Sequence, residues 1–187
     1  MKRHRSDGTR RPWERASTSA IRRLCTEHST SSTLSEPTQV TYTIDANLLL
    51  YASDEGSPWH ARAIELLDEL ALGPELVHLF WPTVMAYLRI ATHPGVFARP
   101  LTHAQARGNI QALLDLPHVL ASGEDDRFWD RFADVAADVS PTGNLVPDAH
   151  LVALMLQTGV RTIWTHDRDY RKFRGITVRD PFDRAAG

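Results

Sequence analysis

The stretch Thr41-Tyr42-Thr43-Ile44-Asp45-Ala46-Asn47-Leu48-Leu49-Leu50-Tyr51-Ala52 decides the fold. Val40 to Ile44 is β-branched and aromatic, the composition of a short buried strand, and Ala46 to Ala52 can begin a helix. Asp45 stands at the handover between them. Read alone, it is either a helix N-cap or a carboxylate lifted to the carboxyl edge of a sheet, where α/β folds gather their ligands.

Further along the chain the same alternation recurs. Ser57-Pro58 offers an N-cap followed by proline at the first helical position, and Ala61, Ile64, Leu67, Leu70 and Ala71 continue at helical spacing up to Gly73-Pro74. Val77 to Phe80 reads as a second strand, leading through Trp81-Pro82 into a helix from Thr83 to Ala91. Thr102 caps a helix running to Leu116 on Ala106, Ile110, Leu113 and Leu114, and Val119-Leu120 gives a short third strand. A helix is expected within 124–138 on Phe128, Phe132, Val135 and Ala136. Pro147 then opens a helix whose Leu151, Val152, Leu154 and Met155 face inward until Gly159. The strand Thr162 to Trp164, a helical turn from Asp167 to Phe173 and a last strand from Ile176 to Val178 complete the pattern. Short strands separated by amphipathic helices predict an α/β sandwich on a mostly parallel sheet.

Charge divides the 187 residues into two regions. Residues 1–38 carry eight Lys or Arg against four acids, a balance of +4 hidden by the overall net charge of −2. That segment is rich in Ser and Thr, has no sustained apolar period, and reads as a disordered basic extension, with residues 39–187 as one folded domain. Three roles compete for the extension: a basic arm for nucleic acid, an organelle-targeting peptide, and a dispensable extension. The lone Cys25 excludes an internal disulfide and fits a reducing cytoplasm, and no apolar run approaches the roughly 20 residues that span a bilayer.

Three acids share one kind of address. Asp45 ends the first strand, Asp167 follows the strand at Trp164, and Asp148 lies in the first turn of the helix opened by Pro147. Clustered carboxylates raise one another's pKa unless a cation holds them ionised. Mg²⁺ or Mn²⁺ suits such an oxygen-only site, taking one or two carboxylates and retaining water. Each acid also has an ordinary structural role to weigh: Asp148 as a partner of the helix dipole, Asp45 as an N-cap, and Asp167 with Asp169 as a solvated turn.

Ile44-Asp45-Ala46-Asn47-Leu48-Leu49, Val146-Pro147-Asp148-Ala149-His150-Leu151 and Trp164-Thr165-His166-Asp167-Arg168-Asp169-Tyr170, with Phe173 beyond, resemble three motifs of the PIN-domain ribonucleases, in particular the VapC toxins of VapBC pairs. Tyr87 to Pro94 and Val178-Arg179-Asp180-Pro181-Phe182 are similar to one VapC subgroup. The resemblance spans about residues 40 to 183 and implies a PIN-like α/β/α sandwich with a short-stranded, mostly parallel central sheet. It further implies a Mg²⁺- or Mn²⁺-dependent endoribonuclease, a VapB-like antitoxin partner, and a homodimer. Carried onto this chain, Asp45, Asp148 and Asp167 are the expected metal ligands, with Asp169 an auxiliary acid that extends the expected ligand set from three to four. Asn47 and Thr165 are expected to orient carboxylate or water, and Arg89 to meet RNA or antitoxin. One departure stands out: the helix after the second strand, Thr83-Val84-Met85-Ala86-Tyr87-Leu88-Arg89, lacks the acid that PIN nucleases usually carry there.

That departure keeps a second function in view, a catalytically weakened PIN-like module that binds RNA or antitoxin. A phosphatase- or receiver-like reading needs a lysine downstream of a nucleophilic Asp and finds only Lys172. No HExxH or Cys/His zinc spacing, no Ser-His-Asp arrangement and no P-loop are present. His150 and His166 are expected at the surface or in hydrogen bonds. Trp59, Trp81, Trp129 and Trp164 fit core or interface packing better than base stacking.

Overall fold

A computed structural model of the chain describes residues 41–183. Val40 and the basic extension lie outside the described residues. Five parallel strands form the sheet in the order β3-β2-β1-β4-β5: β1 Thr41–Ile44, β2 Leu76–Phe80, β3 Val119–Ser122, β4 Thr162–Trp164 and β5 Thr177–Arg179. The six α-helices are α1 Ala46–Ser53, α2 His60–Leu72, α3 Trp81–Ala91, α4 His103–Leu114, α5 Phe128–Val139 and α6 Leu145–Thr158, and a 3₁₀ helix covers Arg168–Lys172. Among the described residues no helix is long and apolar enough to cross a membrane.

Strand period two sorts the side chains into two layers. Tyr42, Ile44, Val77 and Leu79 point to the side covered by α1 to α4, where Leu48, Leu67, Val84 and Ile110 join them. Phe80 and Ile163 point the other way, into a layer with Val152, Leu154, Met155 and Val160 from α6 and its exit. Buried on both faces, the sheet is the centre of an α/β/α sandwich. Helix α6 is apolar nearly all round its middle, and Gly159 ends it at φ +77°, a conformation that glycine adopts without strain.

Several helix starts differ from the sequence reading for local reasons. Ser57-Pro58-Trp59 forms a turn, in which Ser57 Oγ accepts from the Trp59 amide at 3.2 Å, and α2 begins only at His60. Its buried face is Ala63, Leu66, Leu67 and Leu70, and Ala61 is exposed. Helix α3 starts at Trp81, with Pro82 accommodated in its first turn, and α6 starts at Leu145, with Pro147 tolerated because first-turn amides need no intrahelical partner. Thr102 caps α4 as expected, through a reciprocal box with Gln105. Trp81 and Trp129 are 42% and 73% exposed, so neither belongs to the core.

Candidate active site

The register of the sheet builds the site. Ile44 pairs with Trp164 in the parallel ladder, so the next residues, Asp45 and Thr165, emerge side by side at the carboxyl edge. The ladder continues past the strands through Asp45 N–H to Trp164 O at 3.1 Å and Thr165 N–H to Arg179 O at 3.0 Å, which fixes both backbones. Thr165 is fully buried beneath the edge. Its hydroxyl donates to Asp45 Oδ2 at 2.9 Å and accepts from Asn47 Nδ2 and from the Asp167 amide, each at 2.9 Å. One threonine hydroxyl therefore ties together the Asp45 carboxylate, the Asp167 backbone and the first turn of α1.

Asp45 Oδ1 also accepts from the Ala46 amide at 2.6 Å, so the N-cap role and the edge role coincide in one residue. Asp167 Oδ1 likewise accepts from the Asp169 amide at 2.8 Å, starting the 3₁₀ helix. Asp148 projects from the first turn of α6 into the cleft that buried Tyr170 also lines. Asp45, Asp148 and Asp167 line one cleft of about 240 Å³, whose floor also carries Asn47, Thr83 and Tyr170 and whose walls include Leu50, Ala86, Ile90 and Leu151.

Electrostatics in this cleft are unbalanced. Burial pushes Asp45 up to about 6 although the Thr165 hydroxyl and the Ala46 amide pull it down, and the charge of Asp167 adds to the rise. Asp45 keeps partial solvent access through the cleft, but its carboxyl is enclosed by protein on the other sides. Burial likewise raises Asp148 to about 6, reinforced by Asp167 and Asp45 and opposed by the Tyr170 hydrogen bond. Burial, followed by the Asp45 and Asp148 charges, lifts the Tyr170 phenol well above its usual range and keeps it a donor. Among the described residues no Lys, Arg or His lines the cleft.

Among the described residues no group of three or more His, Cys, Asp or Glu side chains is assembled to hold a metal by protein ligands alone. The donor set fits a hard divalent cation that keeps part of its water: oxygen ligands only, two carboxylates displaced upward in pKa, and no protein cation to neutralise them. The buried Asn47 Oδ1 and Thr83 Oγ1, both on cleft residues, have no hydrogen-bond partner among the described residues.

Other expected residues stand apart. Asp169 is paired with Lys172 at 2.8 Å and does not line the cleft. Arg89 is exposed on the last turn of α3, also outside the lining. His150 contacts Glu124 at 2.6 Å, and His166 contacts the buried Asp180 at 2.9 Å within a cluster of Trp59, Tyr51 and Phe182. Tyr170 and Thr83 are the cleft residues to which the sequence assigned no role. Tyr170 carried a signal, an aromatic residue three positions after Asp167, whereas Thr83 gave none beyond following Trp81-Pro82.

Comparisons to known proteins agree with the sandwich fold. The PIN domain family profile matches residues 42–176, and the chain belongs to that family. Ribonuclease VapC48 of Mycobacterium tuberculosis is 49% identical over 140 residues, covering 75% of this chain and 97% of the relative. Ribonuclease VapC37 of the same organism is 33% identical over 138 residues, covering 74% and 95%. Among solved structures, VapBC2 from Rickettsia felis, bound to a DNA fragment from its promoter, contains a chain similar in fold at TM-score 0.54 and 10% identity, covering 75% of this chain and 98% of that one.

Proposed function

We propose that this chain is a metal-dependent endoribonuclease that hydrolyses RNA phosphodiester bonds as the toxin of a toxin-antitoxin pair. The observation that carries the reading is the convergence of Asp45, Asp148 and Asp167 on one cleft to whose lining the described residues bring no basic side chain. The names of the relatives, Ribonuclease VapC48 and Ribonuclease VapC37, support the reaction class. An anionic phosphodiester would be repelled from such a cleft unless a cation entered first.

Asp45, Asp148 and Asp167 are the residues proposed to hold Mg²⁺ or Mn²⁺. When bound, the ion supplies Lewis-acid charge for the phosphoryl group and for the attacking water. Thr165 spends its only proton on Asp45, which holds that carboxylate in one orientation, and its contact with the Asp167 amide holds the second acid in register. Tyr170 orients Asp148 and, by donating to it, favours the ionised form. Leu50, Ala86, Ile90 and Leu151 lower the local polarity, which strengthens each charge interaction between them. Asp169, paired with Lys172, adds negative charge felt by Asp148. Arg89 is proposed as an RNA or antitoxin contact beyond the wall that Ala86 and Ile90 form on the same helix. The reading includes a cytoplasmic homodimer that a small VapB-like antitoxin silences, and the VapBC2 complex of the same fold supports such pairing.

One observation favours a second reading, a PIN-like module that binds RNA or antitoxin without cutting: α3 brings no carboxylate to the cleft. Calorimetric titration of the metal-free protein with Mn²⁺ separates the two. Uptake by the wild type that is lost in Asp45→Asn and Asp148→Asn supports the nuclease. A wild type that binds RNA but takes up no Mn²⁺ supports the module.

A further inference from the structure

Helix α3 faces the cleft with Pro82, Thr83, Ala86 and Ile90, so its one polar side chain there is a threonine. Thr83 is 3% exposed, and its hydroxyl has no hydrogen-bond partner among the described residues. Thr92 and Thr158, at helix C-termini, give that proton to the carbonyl one turn back, Leu88 at 2.7 Å and Leu154 at 2.9 Å, whereas Thr83 stands in the first turn of α3, where the residue four back, Leu79, belongs to β2. Thr83 makes no such bond. A valine would fill the same volume without the penalty of an unpaired buried hydroxyl, so packing alone does not account for a threonine here.

The second unpaired group on the cleft residues is the side-chain carbonyl of Asn47. Its orientation is set by its neighbour: Asn47 Nδ2 donates to Thr165 Oγ1, whose one proton already goes to Asp45. Turning the amide over would bring its oxygen against an oxygen with no proton to give. A hydroxyl and a carbonyl oxygen are thus both buried and both unpaired on residues that line the cleft with Asp45, Asp148 and Asp167.

We infer that Thr83 is a positioning residue for a hydrated divalent cation and, with Asn47 Oδ1, supplies the polar contacts on the side of the cleft where α3 has no acid. The inference rests on the cation site proposed above. Its chemistry is that of an outer contact: a neutral hydroxyl cannot replace the charge of a carboxylate, but it can donate to or accept from water held by an ion. One χ1 step carries the threonine hydroxyl to another staggered position, so the group can turn toward the ion when the ion arrives.

The test compares wild type, Thr83→Val and Thr83→Ser, all with Asp45, Asp148 and Asp167 intact. Mn²⁺ affinity is read by calorimetry, thermal unfolding is followed in EDTA and in Mn²⁺, and kcat and KM are measured on RNA. Thr83→Val is expected to weaken Mn²⁺ binding about tenfold or more. It is also expected to raise the unfolding temperature in EDTA, because the unpaired hydroxyl is gone, and to lower kcat while leaving KM for RNA unchanged. Thr83→Ser is expected to recover the affinity of the wild type. Wild-type Mn²⁺ affinity in Thr83→Val, or equal losses in Val and Ser, overturns the role of Thr83 alone. Absence of Mn²⁺ uptake by the wild type overturns the cation site itself. Thr83→Ala replaces the valine variant if that protein does not purify folded.

Discussion

Thr165 Oγ1 gives its proton to Asp45 Oδ2 across 2.9 Å, and the same oxygen receives Asn47 Nδ2 and the Asp167 amide. The bond joins two neighbouring strands at the point where each ends, so the position of the first carboxylate is set by the ladder between β1 and β4. Replacing Thr165 with Ala leaves a carboxylate without its donor and two donors without an acceptor. The expected loss is about 2–4 kcal/mol in equilibrium denaturation. Thr165→Ser, which keeps the hydroxyl, should lose less than half of that.

Asp45 and Asp148 both lie near 6 in the folded protein, against about 3.9 for an unfolded aspartate. Between these values the folded chain binds more protons than the unfolded chain. The metal-free protein therefore loses stability as pH rises from about 4 to about 6, and the loss levels off above that range. Asp45 and Asp148 act on one another across the cleft, so the loss is a joint contribution of both acids. Urea midpoints measured in EDTA across this range should fall less steeply in Asp148→Asn, and bound Mn²⁺ should offset the loss at neutral pH.

Tyr170→Phe removes a donor that holds Asp148 down, so the carboxyl of Asp148 should titrate higher than in the wild type. The acid limb of the pH–rate profile should move to higher pH, with a loss of about tenfold at pH 6 and less at pH 8. An unmoved acid limb would remove Tyr170 from the account.

Tyr87 lies on the same helix as Thr83 but serves the core. Its hydroxyl meets Asn109 Nδ2 at 2.8 Å and Ser53 Oγ at 2.8 Å, away from the cleft lining. Tyr87→Phe should cost about 1–2 kcal/mol of stability and leave kcat unchanged under conditions where the variant is folded. A loss of kcat without loss of fold would show that this network reaches the site.

The fold was legible because β1, β2 and β4 are short β-branched or apolar runs and each is followed by a change of period. Asp45 and Asp167 follow directly from that reading, since a residue just past a parallel strand must sit at the carboxyl edge. Asp148 was legible from Pro147, even though α6 begins two residues earlier, because both positions lie in the first turn. Asp169 has the same residue type and nearly the same address as Asp167, but one step of the 3₁₀ helix turns it toward Lys172. Thr83 was not readable as a site residue, and Tyr170 only as the aromatic that follows Asp167, because an unpaired hydroxyl and a place in the cleft lining are properties of packing across elements. The exposure of Trp129 was equally hidden: its stacking on Phe132 leaves most of the ring in solvent, which periodicity alone does not distinguish from burial.

The most direct measurement is RNA cleavage by the purified protein in Mn²⁺ and in EDTA, with Asp45→Asn assayed beside it at matched fold by circular dichroism. The account predicts cleavage by the wild type in Mn²⁺, none in EDTA, and a loss of at least about a hundredfold in Asp45→Asn. Cleavage that persists in EDTA, or that Asp45→Asn retains in full, would contradict it.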